Sequence, residues 1–360
     1  MRGRSWLILM VGLLWPCGAA LSAQTGAHPD RRIHSLGDFR FESGAVLPKA
    51  SIAYVTHGEL RSGGRNAVLL PSGFRATHHG YDFLIGPGQA LDSARYFIIA
   101  TEMFGSGGSS SPSNTPAPFD GPRFPPVSIR DNVAATRRLL AEKLGVNHLK
   151  AIIGFSMGAQ QAFQWAVSHP DFMERIVPYC GTAKTYPHTF VMLEGAIRAY
   201  YADAAFQDGE YKSLPIKAMV AVHTHWLGWV YSQEWWRREK FKPHYTTAQE
   251  VVSGWAADTL YRDPNDEIAQ MKAWQVFNIG HTPGFGGDHR AALRSIKAEV
   301  LYMPCETDLY FPIGDIKYEA GFIPDVEVVP IRSLWGHFAG LGINAEDNTF
   351  IDAQIRRFLK

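Results

Sequence analysis

The apolar residues of the first third of the chain follow two patterns that predict strands. In residues 39–47 and 49–58, apolar and polar side chains alternate on either side of a turn, which is typical of an antiparallel strand pair. Residues 66–73 and 95–103 are nearly continuous apolar runs that end in glycine-rich or polar loops. Such runs indicate strands that are buried on both faces, as they are in a parallel sheet.

Strand and helix patterns alternate through most of the remaining chain. A helix is predicted from Ser128 to Gly145, and a strand, a helix and a strand follow within residues 149–181. The later elements are a strand at 298–308, a helix at 313–321, a strand at 326–331 and a last helix that ends at Lys360. This alternation predicts an α/β fold with a mostly parallel central sheet, helices on both faces and a ligand site at the carboxyl edge of the strands.

Residues 183–295 interrupt the alternation. They contain helical patterns and six tryptophans, without a strand pattern between them. We interpret this segment as a helical lid inserted over the carboxyl edge of the sheet. The predicted core then consists of residues 37–182 and 296–360.

The amino terminus has the three-part pattern of a secretory signal peptide. Two arginines precede an apolar run from residue 6 to about residue 15, and small residues follow it. Because the run is shorter than the roughly 20 residues of a membrane span, cleavage near Ala23, or at Ala20, is favoured over an uncleaved anchor. Cys17 does not fit a lipid-attachment site, since bulky residues precede it. Residues 1–23 therefore predict a secreted or periplasmic protein without stable membrane insertion.

The composition is that of an ordinary globular protein and argues against one class of partner. The chain has 360 residues, of which 46% are hydrophobic and 19% charged. Its formal charge of +1 falls to −1 without the two arginines of the signal peptide, and lysine and arginine form no cluster that would attract nucleic acid. We predict no nucleic-acid partner and no cofactor, and a homodimer is compatible with the sequence.

Two cysteines, Cys180 and Cys305, remain after removal of the signal peptide. Both follow strand-like apolar runs, and in an oxidising compartment they are compatible with one disulfide bridge. Two separate buried thiols are the favoured alternative, since the sequence does not bring the sulfurs within bonding distance.

The stretch AIIGFSMGAQQAF places Ser156 in a Gly-x-Ser-x-Gly pattern between a predicted strand and a predicted helix. A serine hydroxyl is a weak nucleophile until a base accepts its proton and a third group orients that base. In α/β-hydrolases this serine occupies a sharp strand-to-helix turn, and the acid and then the histidine follow it along the chain. The context therefore favours a nucleophile over a structural serine in a glycine-rich turn.

Asp308 and His337 occupy the positions expected of the two partners. Asp308 closes a later strand, with Glu306 as a near alternative, and His337 lies in the loop after the next strand. We predict Ser156 as the nucleophile, His337 as the general base and acid, and Asp308 as the group that orients His337.

The negative charge that develops on an attacked ester carbonyl needs fixed hydrogen-bond donors. One predicted donor is the amide of Met157, which follows the nucleophile at a helix amino terminus. The other is the amide of Phe74, in the loop after the third predicted strand, where Gly73 gives the backbone freedom. We also predict that Arg75 and Phe155, which flank these donors, contact the substrate.

The sequence predicts no metal site. His223 and His225 form a His-x-His pair without a clear third ligand, which favours packing within the helical segment over coordination. His78 lies close to Arg75 on the same loop, where an exposed position is the default and a substrate contact the alternative.

Five stretches resemble, in order and spacing, the homoserine O-acetyltransferase family of the α/β-hydrolase superfamily. They are IGPGQALDSARYFII, FPPVSIRDNV, IIGFSMGAQQAFQWAVSHPD, TDLYFP and GHFAG, and the resemblance runs from about residue 45 to the end of the chain. It implies an α/β-hydrolase fold and transfer of an acyl group from acyl-CoA to an amino-acid hydroxyl through an acyl-serine. By position it also implies the same catalytic triad, with Phe74 and Met157 as oxyanion donors.

Two departures from that family favour hydrolysis over transfer. Phe155 and Ala159 stand where the family usually has glycines, and the stretch IKAMVAVHTHW lacks the family's arginine for the homoserine carboxylate. Lys217 in this stretch does not offer the planar two-point grip of a guanidinium. The aromatic helical segment suits a less polar substrate, and acyl-CoA is a cytoplasmic metabolite that an exported enzyme does not meet.

We therefore predict an exported serine hydrolase that cleaves a small-molecule carboxylic ester through an acyl-serine intermediate. An O-acyltransferase of the homoserine O-acetyltransferase type is the first alternative. A non-catalytic binding protein on a hydrolase scaffold is the second, and the complete triad argues against it.

Overall fold

A mixed eight-stranded sheet organises the computed structural model, which describes residues 30–61, 64–260 and 262–360. The predicted signal peptide at residues 1–23 lies outside the described residues. The strands are β1 (Arg32–Arg40), β2 (Val46–His57), β3 (Ala67–Pro71), β4 (Phe97–Thr101), β5 (Leu149–Phe155), β6 (Met173–Tyr179), β7 (Glu299–Tyr302) and β8 (Val326–Val328). Their order in the sheet is β1-β2-β4-β3-β5-β6-β7-β8. The last six strands in this order, β4, β3, β5, β6, β7 and β8, are parallel to one another. The α/β architecture predicted from the sequence is thus confirmed.

Ten α-helices of the described chain accompany the sheet. They are α1 (Ile129–Glu142), α2 (Met157–Ser168), α3 (Pro187–Tyr201), α4 (Ile216–Val230), α5 (Gln233–Arg237), α6 (Ala248–Thr259), α7 (Pro264–Gln275), α8 (His289–Arg294), α9 (Ile313–Ala320) and α10 (Ala345–Phe358). The helix predicted from Ser128 is α1. Its first turn forms a capping box, in which Ser128 Oγ accepts from the Asp131 amide and the Asp131 carboxylate accepts from the Ser128 amide.

The antiparallel strand pair at the amino end is present and begins earlier than the pattern predicted. β1 pairs antiparallel with β2, and β2 pairs antiparallel with β4. The predicted start of the core at residue 37 therefore falls inside β1. The first residues of β1 are mostly exposed on an edge strand, so the apolar alternation that would reveal them is weak.

The helical segment between β6 and β7 comprises α3 to α8, where the sequence pattern predicted helices. Aromatic rings hold it together. Trp226 stacks on Trp274 with ring centroids 6.3 Å apart, and Trp235 stacks on Tyr231 at 3.8 Å. These contacts join α4 to α7 and the end of α4 to α5, and the buried residues of the segment are continuous with the apolar core on one face of the sheet. The segment's movement as a lid stays a prediction.

Cys180 and Cys305 are both buried and free. The favoured alternative of two separate thiols therefore describes the structure, and the disulfide does not form. Within the part of the chain that the structure describes, no helix has the length and apolar character that a membrane span requires.

Candidate active site

Ser156 occupies the sharp turn between β5 and α2, as the sequence predicted. Its backbone angles are φ 58° and ψ −123°, a conformation that residues other than glycine rarely adopt. The surrounding backbone stabilises this strained conformation, since the Ser156 amide donates to the Tyr179 carbonyl at 3.1 Å. The turn projects the side chain away from the strand, at the carboxyl edge of the sheet.

Both glycines of the Gly-x-Ser-x-Gly pattern are required by close approaches. A Cβ added to Gly154 would lie 2.0 Å from the Gly158 carbonyl oxygen, and a Cβ on Gly158 would lie 2.3 Å from the Pro71 carbonyl oxygen. Neither neighbour is a flexible side chain that can move away. The pattern therefore reflects tight packing of the turn against itself and against β3.

Tyr81 braces this turn and was not identified from the sequence. Its hydroxyl donates to the Pro71 carbonyl at 2.6 Å and accepts from the Phe155 amide at 3.0 Å. Burial raises the pKa of Tyr81, so the hydroxyl keeps its proton and serves both bonds. Tyr81 thus connects the end of β3 to the residue before the predicted nucleophile.

The structure brings Ser156, His337 and Asp308 together. His337 Nε2 lies 3.0 Å from Ser156 Oγ, and His337 Nδ1 lies 2.8 Å from Asp308 Oδ2. Asp308 follows β7 and His337 follows β8, so neighbouring parallel strands deliver both partners to one edge of the sheet. All three side chains are buried.

The geometry selects Asp308 over Glu306. The free oxygen of the Asp308 carboxylate accepts from the backbone amides of Tyr310 at 2.8 Å and Phe311 at 3.2 Å, which orients the other oxygen toward His337. Glu306 is exposed and points to Arg332, with 3.9 Å between the charged atoms. Glu306 is therefore on the solvent side of the same loop.

Aromatic rings enclose the His337 imidazole. The Phe155 ring stacks on it at a centroid distance of 4.7 Å, and the Tyr310 ring lies 4.5 Å from it. Phe155, a predicted substrate contact, also lines the cavity described below and lies against the His337 ring. The bulky residue before the nucleophile therefore also restricts the rotation of His337.

The two predicted oxyanion donors flank Ser156. Met157 is the first residue of α2, and the first amides of a helix have no acceptor within it. The loop that carries Phe74 passes close to the nucleophile, since a Cβ added to Gly73 would lie 3.5 Å from Ser156 Cβ. The Phe74 ring is anchored between Trp226 and Trp274, with centroid distances of 5.5 and 6.0 Å.

Ser156 and His337 face a cavity of about 690 Å³, including the open space at its mouth. Its walls are mostly apolar and come from the loop after β3, the turn at Ser156, the helical segment and the loops after β7 and β8. The lining residues are Phe74, Arg75, Ala76, Phe155, Ser156, Trp226, Val230, Trp255, Trp274, Tyr310, His337, Phe338 and Leu341. Such a cavity suits an apolar ligand oriented by a few polar groups.

Arg75 lines the cavity, as predicted, but its charge is already compensated. Its Nε lies 3.0 Å from Oε1 of Glu267, a fully enclosed residue of α7 that also accepts from the Tyr200 hydroxyl at 2.8 Å. Burial would raise the pKa of Glu267, but Arg75 and the nearby His223 outweigh burial and hold the pKa below its usual value. Glu267 thus stays ionised opposite the guanidinium.

The loop that carries Phe74 and Arg75 is fixed from the helical side. The Arg75 amide donates to Gln270 Oε1 at 2.9 Å, and the Arg262 guanidinium donates to the Arg75 carbonyl. Arg75 itself has a positive φ of 57°. Polar contacts from α7 and from Arg262, two residues before the first residue of α7, therefore hold the backbone that carries the predicted oxyanion donor.

Lys217, His223 and His225 of the helical segment lie in different surroundings. Lys217 is exposed at the start of α4, and among the described cavity-lining residues the cation is Arg75 instead. Because the first turn of α4 directs Lys217 to solvent, this lysine does not take the place of the family's carboxylate-binding arginine. His223 faces Glu267 at 3.4 Å and His225 Nε2 bonds the Met192 carbonyl at 2.9 Å, so both contribute packing within the segment.

Replacement of Glu267 by Gln is expected to destabilise the protein by about 3 kcal/mol, because it leaves the Arg75 guanidinium buried without its countercharge. Urea unfolding measures the effect. Glu299→Gln is the matched control, since Glu299 pairs with Arg175 at 3.0 Å on the surface and its loss should cost less than about 1 kcal/mol. Equal destabilisation by the two substitutions would contradict this account of the Arg75 pair.

Comparison with known proteins gives relatives that match most of the chain. A family model described as the alpha/beta hydrolase fold matches residues 66–340. An ethyl acetate hydrolase of Pseudomonas veronii is 35% identical over 340 residues, which cover 92% of this chain and 96% of the relative. A homoserine O-acetyltransferase of Trichormus variabilis is 28% identical over 329 residues, 84% of this chain and 87% of the relative.

A solved structure is similar over nearly the whole chain. It is the crystal structure of an acetylester hydrolase from Corynebacterium glutamicum, with a TM-score of 0.89 and 31% identity, covering 94% of this chain and 97% of that one. The resemblance noted in the sequence is thus confirmed at the level of the family. The chain belongs to the α/β-hydrolase family, where its relatives include both esterases and homoserine O-acetyltransferases.

Proposed function

We propose that this protein is an exported serine esterase that hydrolyses small esters with a short acyl group through an acyl-serine intermediate. One observation carries the proposal: His337 Nε2 lies 3.0 Å from Ser156 Oγ, and Asp308 lies 2.8 Å behind the other ring nitrogen. This arrangement provides an activated hydroxyl together with a base of fixed orientation.

The first half of the reaction forms the acyl-enzyme. Asp308 accepts a hydrogen bond from the Nδ1–H group of His337, which leaves the lone pair of Nε2 directed at Ser156 Oγ. As Oγ attacks the ester carbonyl, its proton passes to Nε2. The resulting imidazolium then protonates the alcohol oxygen as the bond between that oxygen and the carbonyl carbon breaks.

The second half returns the serine. A water molecule enters where the alcohol has left and gives its proton to His337 Nε2 as it attacks the acyl carbonyl. The protonated His337 then returns a proton to Ser156 Oγ, and the carboxylic acid departs. In both halves the amides of Met157, at the start of α2, and of Phe74, in the loop that α7 holds, donate to the oxyanion.

The cavity favours a compact, weakly polar ester. Much of its lining consists of aromatic rings, among them those of Phe74, Trp226, Trp255 and Trp274. Arg75 faces the same space but is neutralised by Glu267, so it offers a polar contact rather than an unpaired charge for a carboxylate. The relatives named ethyl acetate hydrolase and acetylester hydrolase support an acetyl or similarly short acyl group.

The second candidate function is O-acyl transfer, which the 28% identity to a homoserine O-acetyltransferase favours. The same acyl-serine would then pass to an acceptor hydroxyl instead of water. The ion pair of Arg75 with Glu267 counts against an amino-acid acceptor, because the acceptor's carboxylate would have to compete with Glu267 for the same guanidinium. Hydrolysis is therefore the better supported outcome.

A panel of p-nitrophenyl esters tests the esterase with purified protein. We expect kcat/KM to fall by at least about tenfold from acetate to octanoate, because the rings that bound the cavity do not accommodate added methylenes. The same preparation receives acetyl-CoA and homoserine, and we expect far less O-acetylhomoserine than free acid. Rates that rise with chain length would contradict the short acyl group, whereas rapid acetylhomoserine formation would contradict hydrolysis as the main activity.

Export is tested separately by expressing the full chain in a Gram-negative host and fractionating the cells. The signal pattern at residues 1–23 predicts esterase activity in the periplasmic fraction and a mature amino terminus at Gln24, which mass spectrometry reads directly. Replacing the apolar run by a polar one of equal length serves as the control and should leave the protein in the cytoplasm. An unprocessed active protein in the cytoplasm of the unmodified strain would contradict export.

A further inference from the structure

A group of side chains that could ligate a metal lies outside the cavity, where the loop that carries Phe74 meets the segment before β1. His78 and His79 begin a short 3-10 helix (His78–Leu84), and Asp30 precedes β1. One ligand-type atom from each of the three residues lies within 4.8 Å of the other two, and His78 Nε2 is 3.5 Å from Asp30 Oδ1. We propose that Asp30, His78 and His79 form a binding site for a divalent transition metal of the zinc type.

The first argument is the carboxylate behind each imidazole. His78 Nδ1 lies 2.6 Å from Oε1 of the buried Glu102, and His79 Nδ1 lies 2.8 Å from Oδ2 of Asp82. An imidazole whose Nδ1–H donates to a carboxylate presents the lone pair of Nε2, and the carboxylate makes that nitrogen a stronger ligand. Metal-binding histidines commonly have such a partner, and here both histidines have one.

The second argument is the donor set and its spacing. Two imidazoles and one carboxylate form a three-ligand set that suits Zn²⁺, with a fourth position left for water. In a tetrahedral zinc site with bonds of about 2.1 Å, ligand atoms are about 3.4 Å apart. The 3.5 Å between His78 Nε2 and Asp30 Oδ1 already matches this spacing. Asp30 and His79 are partly exposed, so their side chains can make the remaining adjustment.

The third argument is charge. The carboxylates of Asp30, Asp82 and Glu102 surround the two imidazoles, and Arg31 compensates one of them through its contact with Glu102 at 3.1 Å. The cluster therefore keeps an excess of negative charge, which favours a dication.

A network of hydrogen bonds without a metal is the competing explanation. It accounts for the Asp30–His78–Glu102 chain, which ties the segment before β1 to the loop after β3. Contact between the two neighbouring imidazole rings, whose centroids are 4.1 Å apart, also brings His79 close, but it gives no reason for a carboxylate behind each of the two Nδ1 atoms. The metal explains both histidines, and its consequence is a bond between the amino-terminal segment and the loop that carries Phe74.

The test uses the mature chain from Gln24, with any affinity tag removed and metals stripped by a chelator. Zinc is titrated against a chromophoric competitor, and the thermal midpoint is measured with and without zinc. We expect one zinc per chain, and a midpoint raised by about 3 °C or more when free zinc exceeds Kd by a hundredfold. Absence of saturable binding at one equivalent overturns the proposal.

Substitutions identify the site. Asp30→Asn and His79→Gln should each weaken zinc binding by at least about tenfold, and Asp82→Asn, which removes the carboxylate behind His79, by about tenfold. His148→Gln is the matched control, since His148 pairs with the Glu174 carboxylate at 3.5 Å but belongs to no such cluster in the described chain. Ester hydrolysis and circular dichroism verify that each variant is folded. Zinc binding by folded His79→Gln and Asp82→Asn equal to that of the unsubstituted chain overturns the proposal.

Discussion

Replacement of Ser156 by Ala should lower kcat for ester hydrolysis by about 10⁴–10⁶-fold, because it removes the hydroxyl that lies 3.0 Å from His337 Nε2 and forms the proposed acyl-enzyme. The fold should persist, since the backbone contacts of the turn, such as the bond from the residue 156 amide to the Tyr179 carbonyl, do not involve the side chain. A fluorophosphonate probe, followed by intact-mass spectrometry, should add one label to the unsubstituted chain and none to the variant.

Ser168→Ala is the matched control for this substitution. Ser168 is the last residue of α2, the helix that begins directly after the predicted nucleophile, and its hydroxyl accepts from Gln164 at 2.8 Å. Its loss should leave both the label and kcat within about twofold of the unsubstituted chain. Equal labelling of the Ser156→Ala variant would show that the nucleophile lies elsewhere, and the acyl-serine at this position would then be wrong.

The proximity of Ser156, Asp308 and His337 could be predicted from the sequence because the order of the strands along the chain determines it. Parallel strands end at one edge of the sheet, so residues that follow β5, β7 and β8 must meet there. Ser156, Asp308 and His337 each follow one of these strands, and the structure places their side chains within hydrogen-bond distance. Strand periodicity and one local motif therefore sufficed for these three positions.

The contacts that position the loop after β3 could not be predicted in the same way. Gln270 and Arg262 hold the backbone at Arg75, and Glu267 compensates its guanidinium. Gln270 and Arg262 are 195 and 187 residues from Arg75 in the sequence. No hydrophobic period encodes which polar residue of a helix meets which loop. Only the packing of α7 against the loop reveals these pairs.

Residues whose role depends on a close approach were missed for a related reason. Tyr81 is one tyrosine among 14, and nothing near it in the sequence indicates that its hydroxyl bridges Pro71 and Phe155. The sequence locates reacting groups that occupy strand ends, whereas the supporting residues are chosen by tertiary contacts.

Replacement of Asp308 by Asn should lower kcat by about 10⁴-fold, with little change in KM. The Asn amide can still occupy the space beside His337 Nδ1 and retain the contacts with the Tyr310 and Phe311 amides. Because the Asn oxygen accepts from these two amides, its NH₂ group faces His337 and donates to Nδ1. The variant therefore favours the tautomer with hydrogen on Nε2, and it leaves the imidazolium without a countercharge. Steady-state kinetics with p-nitrophenyl acetate measure the loss.

Glu306→Gln provides the decisive comparison, because Glu306 is an acid on the same loop, two residues away, whose carboxylate faces Arg332 and solvent. Its substitution should change kcat by less than about twofold. The converse result, full activity in Asp308→Asn and a large loss in Glu306→Gln, would require the loop after β7 to rearrange during catalysis. A large loss confined to Asp308→Asn would instead show that the distance of 2.8 Å between Asp308 Oδ2 and His337 Nδ1 is the contact that fixes the base.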